Sequence, residues 1–201
     1  MPGSGPPGGP EAPTAPGDPM SQRDDPFARP ADRLDRAALA VRDRMPVTAL
    51  LDGIRSAGNV GSMFRTADAA NLGGLFLCGM TATPPRADIE KTALGATETV
   101  PWDYRQDPAA AVADLRARGV QVVALEQAPG AAPFEEFPYR FPVCFVVGHE
   151  VKGVGPATLA AVDACVEIPM AGAKKSLNVA VSFGVLAFHL RRAWLAAGSP
   201  R

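Results

Sequence analysis

Three stretches of the chain, at 59–65, 148–155 and 168–178, combine glycines with Asn, Ser, Glu and Arg side chains. Arg65, at the end of the first stretch, carries a guanidinium that can donate paired hydrogen bonds to phosphate or ribose oxygens. The glycines allow tight turns and let a ligand approach the backbone closely. These residue types predict a site that contacts both a small molecule and a phosphate or ribose group.

The first stretch opens a predicted helix over 59–71. Gly58 and Asn59 lead into this helix, so the amides of its first turn can face an anion. Arg65 follows about two helical turns later. A capped helix with one solvated arginine would give the same pattern, so this stretch alone does not establish a site.

The second stretch follows a predicted buried strand at 142–150 directly. It contains neither the GK[ST] of a phosphate-binding loop nor a G-x-G-x-x-G that opens a helix. Glu150 beside Lys152 fits an ordinary surface ion pair, which contributes little, or an orienting role on a glycine-rich turn.

The third stretch joins a predicted strand to the C-terminal helix at 176–195. Ser176 can serve as the N-cap of this helix, which would give it a purely structural role. Asn178 is a poor helix former, so its place in the first turn indicates that it binds something specific. The helix beyond it is apolar on nearly all sides and is expected in a core or at a subunit interface.

The predicted elements that position these stretches alternate between strand and helix. Strands are predicted at 47–53, 74–79, 97–102, 120–126, 142–150 and 165–170, and further helices at 89–96, 107–119 and 156–163. This alternation predicts an α/β fold with a mostly parallel sheet and helices on both faces. Each stretch begins where a strand stops, so all three can meet at the carboxyl edge, where such sheets bind ligands.

The N-terminal segment has a different composition. Residues 1–30 contain nine prolines and five glycines and are predicted to be disordered. Residues 31–46 are predicted to form a short helix, and residues 47–195 the α/β domain.

The overall composition narrows the class of protein. The net charge of −1 gives no global case for nucleic acid, so a basic patch must be local. Basic residues in or beside the three stretches are Arg55, Arg65, Lys152, Lys174 and Lys175. Three cysteines and two histidines favour neither a disulfide framework nor a metal site. We expect a soluble, cytoplasmic protein with no membrane partner, because no apolar run reaches spanning length.

The three stretches together resemble one known family. The order N-x-G-S-x-x-R, G-x-E-x-x-G and I-P-M-x-G-x-x-x-S-L-N-V is similar to the SpoU (TrmH) family of RNA ribose 2′-O-methyltransferases, within the SPOUT superfamily. The resemblance covers about residues 47–192. It implies a C-terminal trefoil knot, the cofactor S-adenosylmethionine, an RNA substrate, and a homodimer in which the partner chain completes each site.

The resemblance also implies roles for particular residues. The family's cofactor contacts fall on Leu125, Gly148, Ile168 and Leu177. Its catalytic arginine falls on Arg65, and its polar partners fall on Asn59, Glu150, Ser176 and Asn178. His149 departs from the family, where many members carry Asn, Ser or Gln. It offers a titratable group, and we consider it as an alternative base.

The role of Arg65 is open to two interpretations. Accounts of the family often make this arginine a general base. A guanidinium with a pKa above about 12 seldom releases its proton, so we favour a clamp that stabilises the developing 2′-oxyanion and the adjacent phosphate.

Three other functions remain open at this point. The chain could methylate a base, bind RNA without catalysis, or be an ordinary nucleotide-binding α/β protein. Among RNA substrates tRNA is slightly favoured over rRNA, because the sequence shows no substantial additional RNA-binding domain.

Overall fold

The computed structural model describes residues 43–198. The predicted tail at 1–30 and nearly all of the predicted helix at 31–46 lie outside this range. Met45 and Pro46, which were assigned to the end of that helix, instead begin the first strand.

The seven strands of the described chain form one sheet. They are β1 (Met45–Asp52), β2 (Leu72–Cys78), β3 (Trp102–Arg105), β4 (Gln121–Leu125), β5 (Ala132–Pro133), β6 (Val143–Gly148) and β7 (Ala164–Glu167). Their order is β3-β2-β1-β6-β4-β7-β5, and every neighbouring pair is parallel. All six residues of β6 are buried, as expected for a central parallel strand covered on both faces.

Six helices of the described chain cover the two faces of the sheet. They are α1 (Ala57–Ala70), α2 (Ala87–Ala93), α3 (Ala96–Thr99), α4 (Pro108–Ala117), α5 (Pro156–Ala161) and α6 (Val179–Ala196). The larger core lies between the sheet and α1, α2, α3 and α6, and the smaller one lies under α4 and α5. The predicted parallel α/β fold is therefore confirmed.

The helix ends show how local chemistry sets several boundaries. Asp107 caps α4 as predicted, because its carboxylate accepts hydrogen bonds from the amides of Ala109 and Ala110 at 2.9 and 3.2 Å. Ser56 caps α1 by accepting the Asn59 amide at 3.2 Å. Asn71 ends α1 in the left-handed conformation, with φ 62°.

The predicted strand at 97–102 is wrong over most of its length. Residues 96–99 form the short helix α3, and only Trp102 begins a strand. Leu94 and Gly95 adopt positive φ and separate this helix from α2. Thr99, whose β-branched side chain favours strands, donates a hydrogen bond to Asp68 at 2.8 Å, so a tertiary contact overrides the local preference.

Helix α6 has one face in the core and one face in solvent. Its buried residues are Phe183, Leu186, Ala187 and Leu190. Val181, Val185 and Phe188 form an exposed apolar stripe, at 53, 36 and 49% exposure. A mean hydropathy of 1.2 over 18 residues would also suit a membrane span, but core helices of soluble proteins pass the same test. Here α6 packs against α1, β1 and β6.

Candidate active site

A cavity of about 330 Å³ lies where the segments after β4, β6 and β7 meet the start of α6. This volume is within the range of small-molecule sites, roughly 300–1,000 Å³. Leu125, Gly148, Ile168 and Leu177 all line it, and they are the four residues predicted to contact the cofactor. The structure therefore brings this predicted set together at the carboxyl edge of the sheet.

Gly148 forms a wall of the cavity that admits no side chain. A Cβ at this position would lie 2.2 Å from the carbonyl carbon of Gly153 and from the nitrogen of Val154. His149 and Gly153 close the loop by exchanging two backbone hydrogen bonds of 3.0 and 2.8 Å. The loop is thus folded back tightly against the end of β6, and only glycine fits where they touch.

Two carboxylates hold this loop from either side. β1 and β4 flank β6 in the sheet, and each ends beside an acidic residue. Asp52 accepts the Gly155 amide at 3.0 Å, and Glu126 accepts the Val154 amide at 2.9 Å. Sequence reasoning missed both residues, although an acidic residue at the carboxyl end of a buried strand was an available signal.

Glu150 reaches from the loop to the start of α1. Its carboxylate accepts hydrogen bonds from the amides of Arg55 and Ser56 at 3.1 and 3.0 Å, and from the side chain of Asn59 at 3.0 Å. The side-chain NH2 group of Asn178 donates to the side-chain oxygen Oδ1 of Asn59 at 3.3 Å. Glu150, Asn59 and Asn178 therefore form a chain of hydrogen bonds, named here the polar cluster, that joins all three sequence stretches.

The hydrogen bonds at Glu150 set its ionisation. Partial burial of the carboxyl group acts to raise its pKa. Hydrogen bonds from the amides of Ser56, Glu150 and Arg55 and from the Asn59 side chain outweigh burial and lower the pKa below its ordinary value. Glu150 is thus held as an anion at the N-terminus of α1, where the helix dipole favours negative charge.

This arrangement bears on two expectations about helix starts. Ser56 and Glu150 engage three amides around the start of α1: the Ser56 hydroxyl accepts the Asn59 amide, and the Glu150 carboxylate accepts the amides of Arg55 and Ser56 just before the helix. Asn178, not Ser176, caps α6, by accepting the Ala180 amide at 2.8 Å. Asn178 therefore has a structural reason to open this helix: its side-chain oxygen caps the helix while its side-chain NH2 group contacts Asn59.

Ser176 lies on the wall of the cavity. Its side chain is exposed and has no hydrogen-bond partner among residues 43–198. The neighbouring carbonyl of Lys175 accepts a hydrogen bond of 2.7 Å from the Gln127 side chain, which fixes this segment beside the end of β4.

Arg65 stands apart from the other predicted site residues. It lies six residues beyond Asn59 in α1, or about 9 Å along the helix axis. Its side chain is exposed, does not line the cavity, and forms no hydrogen bond or ion pair within the described range. Within one chain, therefore, Arg65 is not brought to the polar cluster.

His149 has a structural role in the glycine-rich loop after β6. Its Nδ1 accepts hydrogen bonds from the amides of Val151 and Lys152 at 3.0 and 3.3 Å. This nitrogen is therefore engaged within the turn, and His149 helps to hold the loop after β6 in place.

The sequence of the chain is similar to that of known proteins. Residues 46–188 match the SpoU rRNA Methylase family. The chain is 37% identical over 142 residues to the 23S rRNA (guanosine(2553)-2′-O)-methyltransferase RlmP of Bacillus subtilis, which covers 71% of this chain and 56% of that protein. The chain thus spans little more than half the length of this relative.

Two solved structures have closely similar folds. The SpoU methyltransferase AviRb from Streptomyces viridochromogenes, in complex with the cofactor AdoMet, matches with a TM-score of 0.70 and 28% identity, over 83% of this chain and 66% of AviRb. The A. aeolicus TrmH/SpoU tRNA modifying enzyme matches with a TM-score of 0.72 and 26% identity, over 81 and 82% of the two chains. The family match covers most of the described residues, and the three motifs and the parallel sheet agree with it. The chain belongs to the SpoU rRNA methylase family.

Proposed function

We propose that this protein transfers a methyl group from S-adenosylmethionine to a ribose 2′-hydroxyl of RNA. The observation that carries the proposal is the convergence of the four predicted cofactor residues on one cavity, next to a polar cluster built from all three motifs. The AdoMet complex of AviRb, which is similar over 83% of this chain, supports the choice of cofactor.

The cavity suits an adenosyl group in shape and chemistry. Leu125, Ile168 and Leu177 supply apolar walls, and Gly148 supplies backbone with no side chain in the way. S-adenosylmethionine supplies an activated methyl group on a sulfonium, so the protein has only to position the hydroxyl and stabilise charge. Asp52 and Glu126 hold the loop that forms one wall.

The polar cluster forms the part of the site that would receive the ribose. Glu150 orients Asn59, and Asn59 in turn contacts Asn178 at the edge of the cavity. Ser176 leaves its hydroxyl free for a substrate. During methyl transfer Arg65, as a permanent cation, would stabilise the developing 2′-oxyanion and the adjacent phosphate.

A homodimer would explain how the exposed Arg65 reaches a site. Thr66, the next residue, packs against Gly184 of α6, so Arg65 lies near the seam between α1 and α6. The apolar stripe of Val181, Val185 and Phe188 lies on the same helix α6. Pairing of this stripe with a second copy would bury it, and a two-fold axis would carry Arg65 of each chain toward the other chain's cavity.

The proposed substrate is ribosomal RNA. RlmP of Bacillus subtilis and the RlmB proteins that resemble this chain are named for guanosine 2′-O-methylation of 23S rRNA. These relatives shift the preference away from tRNA, although the A. aeolicus neighbour is a tRNA modifying enzyme. A substrate of this kind also agrees with the expected cytoplasmic location.

Two measurements test this proposal. Titration calorimetry should show binding of S-adenosylmethionine, and no binding would favour a non-catalytic RNA-binding role. Mass spectrometry of nucleosides from 23S rRNA and tRNA of a deletion strain should show the loss of one 2′-O-methylated nucleoside from rRNA. Loss from tRNA would reassign the substrate, and loss of a base-methylated nucleoside would refute ribose methylation.

A further inference from the structure

The charged side chains that line the cavity are all acidic. Glu126, Glu150 and Glu167 contribute to it, and no Lys or Arg of the described chain does. The basic residues of the neighbouring loops, Lys152, Lys174 and Lys175, are exposed and lie outside the lining. Such a cavity disfavours phosphate-bearing ligands and favours a ligand with net positive charge.

Glu126 and Glu167 are neighbours across two parallel strands. Leu125 pairs with Val166 in the register of β4 and β7, and the Glu126 amide donates to the Val166 carbonyl at 3.0 Å. The next step of this register sets Glu126 beside Glu167. Both side chains line the same cavity, but the Glu126 carboxylate is turned toward the loop after β6, where it accepts the Val154 amide.

The two carboxylates differ in what holds them. Glu126 accepts the amides of Val154 and Gln127 at 2.9 and 3.1 Å. The Glu167 carboxylate has no hydrogen bond or ion pair with any residue of the range 43–198. Its backbone carbonyl accepts the Phe134 amide at 2.9 Å, so the main chain is fixed while the charge has no counter-ion.

We propose that Glu167, beside Glu126, makes the cavity select the cationic methyl donor over the neutral product. This inference rests on the proposed function. Methyl transfer breaks the bond between the sulfonium sulfur and the methyl carbon and leaves the electron pair on sulfur. The methyl carbon bonds to the ribose oxygen, and the hydroxyl proton passes to solvent water. The nucleoside left in the cavity has lost one positive charge, so attraction to Glu167 weakens and release of S-adenosylhomocysteine is favoured.

The test is a charge-neutral substitution, Glu167→Gln, with Glu136→Gln as the matched control. Glu136 is exposed and does not line the cavity. Calorimetry of the full chain with each nucleoside should show that Glu167→Gln weakens S-adenosylmethionine binding about fivefold to tenfold. Binding of S-adenosylhomocysteine should change less than about twofold, and the control should change neither.

Salt and stability give two further readouts. The preference for the cation should decline as the salt concentration rises in the unmodified protein, and should depend less on salt in Glu167→Gln. Without ligand, the variant should melt at the wild-type temperature, because the Glu167 carboxylate has no hydrogen bond or ion pair within residues 43–198 to lose. A lower melting temperature would show that Glu167 has a structural role and would contradict the assignment of its charge to ligand selection.

The outcomes separate this inference from the proposed function. If Glu167→Gln weakens the binding of both nucleosides equally, or of neither, the proposed selection by charge is wrong. The assignment of the cofactor would still stand. If the unmodified protein binds neither nucleoside, both proposals are wrong.

Discussion

The cofactor cavity and the region around Arg65 differ in how complete they are within one chain. The cavity is enclosed by residues from the ends of β4, β6 and β7 and from the start of α6, and its loop is fixed by Asp52 and Glu126. Arg65 is an exposed cation with no partner within residues 43–198. The first region is built from several elements that hydrogen bonds fix together, and the second presents an exposed charge with no such contacts in the described chain.

This difference indicates that cofactor binding and methyl transfer have separate structural requirements. Cofactor binding is expected to depend on the fold of a single chain, because the four predicted cofactor residues line one cavity within it. Methyl transfer should also depend on what covers α6 and approaches Arg65. The polar cluster of Glu150, Asn59 and Asn178 lies between the two regions and connects them.

The largest effect is expected from Arg65→Ala. Methylation of RNA should fall about 100- to 1,000-fold, the usual range for removing one stabilising donor, because a permanent cation is lost. Affinity for S-adenosylmethionine should change less than about twofold. Arg118→Ala, at an exposed arginine after α4, is the control. Loss of cofactor binding in Arg65→Ala would show that the two regions are not separate.

Gly148→Ala should damage the cofactor region. The new Cβ would lie 2.2 Å from the backbone of Gly153 and Val154, so the loop must move. Strain of about 1–3 kcal/mol corresponds to roughly a 5- to 150-fold loss of cofactor affinity, measured by calorimetry.

Gly172→Ala is the matched change in the third stretch, because a Cβ at Gly172 would meet nothing within 4 Å. Its cofactor affinity should be unchanged. Equal effects of the two substitutions would mean that the close approach at Gly148 does not define the cavity.

Val181→Asp should disrupt the dimer, and so reduce methyl transfer without affecting cofactor binding. Val181 is 53% exposed, so a charge there is tolerated by the isolated chain but not in a buried interface. Light scattering should show a shift from dimer to monomer, with methylation reduced about tenfold or more and cofactor affinity retained. Leu94→Asp, at 66% exposure and away from α6, should remain dimeric. A wild-type monomer with full activity would refute the dimer.

The smallest effect concerns the pH dependence of Glu150. Its pKa is lowered in the folded chain, so its contribution to stability is fully present above the ordinary glutamate pKa of about 4.3. That contribution is lost as the pH falls through the lowered pKa. Glu150→Gln should therefore melt below wild type at pH 7, and the difference should narrow below about pH 4. A constant difference would show that the carboxylate charge is not what the hydrogen bonds stabilise.

Much of the fold and the cofactor region followed from the sequence, because both depend on local patterns. Alternating strands and helices require a parallel sheet, and its carboxyl edge collects the segments that follow the strands. The cap at Asp107 and the strand at β6 could be read directly. The family resemblance, now confirmed by the match over 46–188, named the cavity residues. Their roles in catalysis, and the trefoil knot, stay predictions.

The long-range hydrogen-bond partners of the polar side chains are set by the tertiary structure and not by the local sequence. Asp52, Glu126 and Glu150 hold amides that are 103, 28 and 94 residues away in sequence, and no local pattern specifies such pairs. Asn178 caps α6 and contacts Asn59 at once, whereas local preference assigned the cap to Ser176. The separation of Arg65 from the polar cluster also emerged only in three dimensions. A hydrogen bond depends on distances of about 3 Å, which the packing of the whole chain sets.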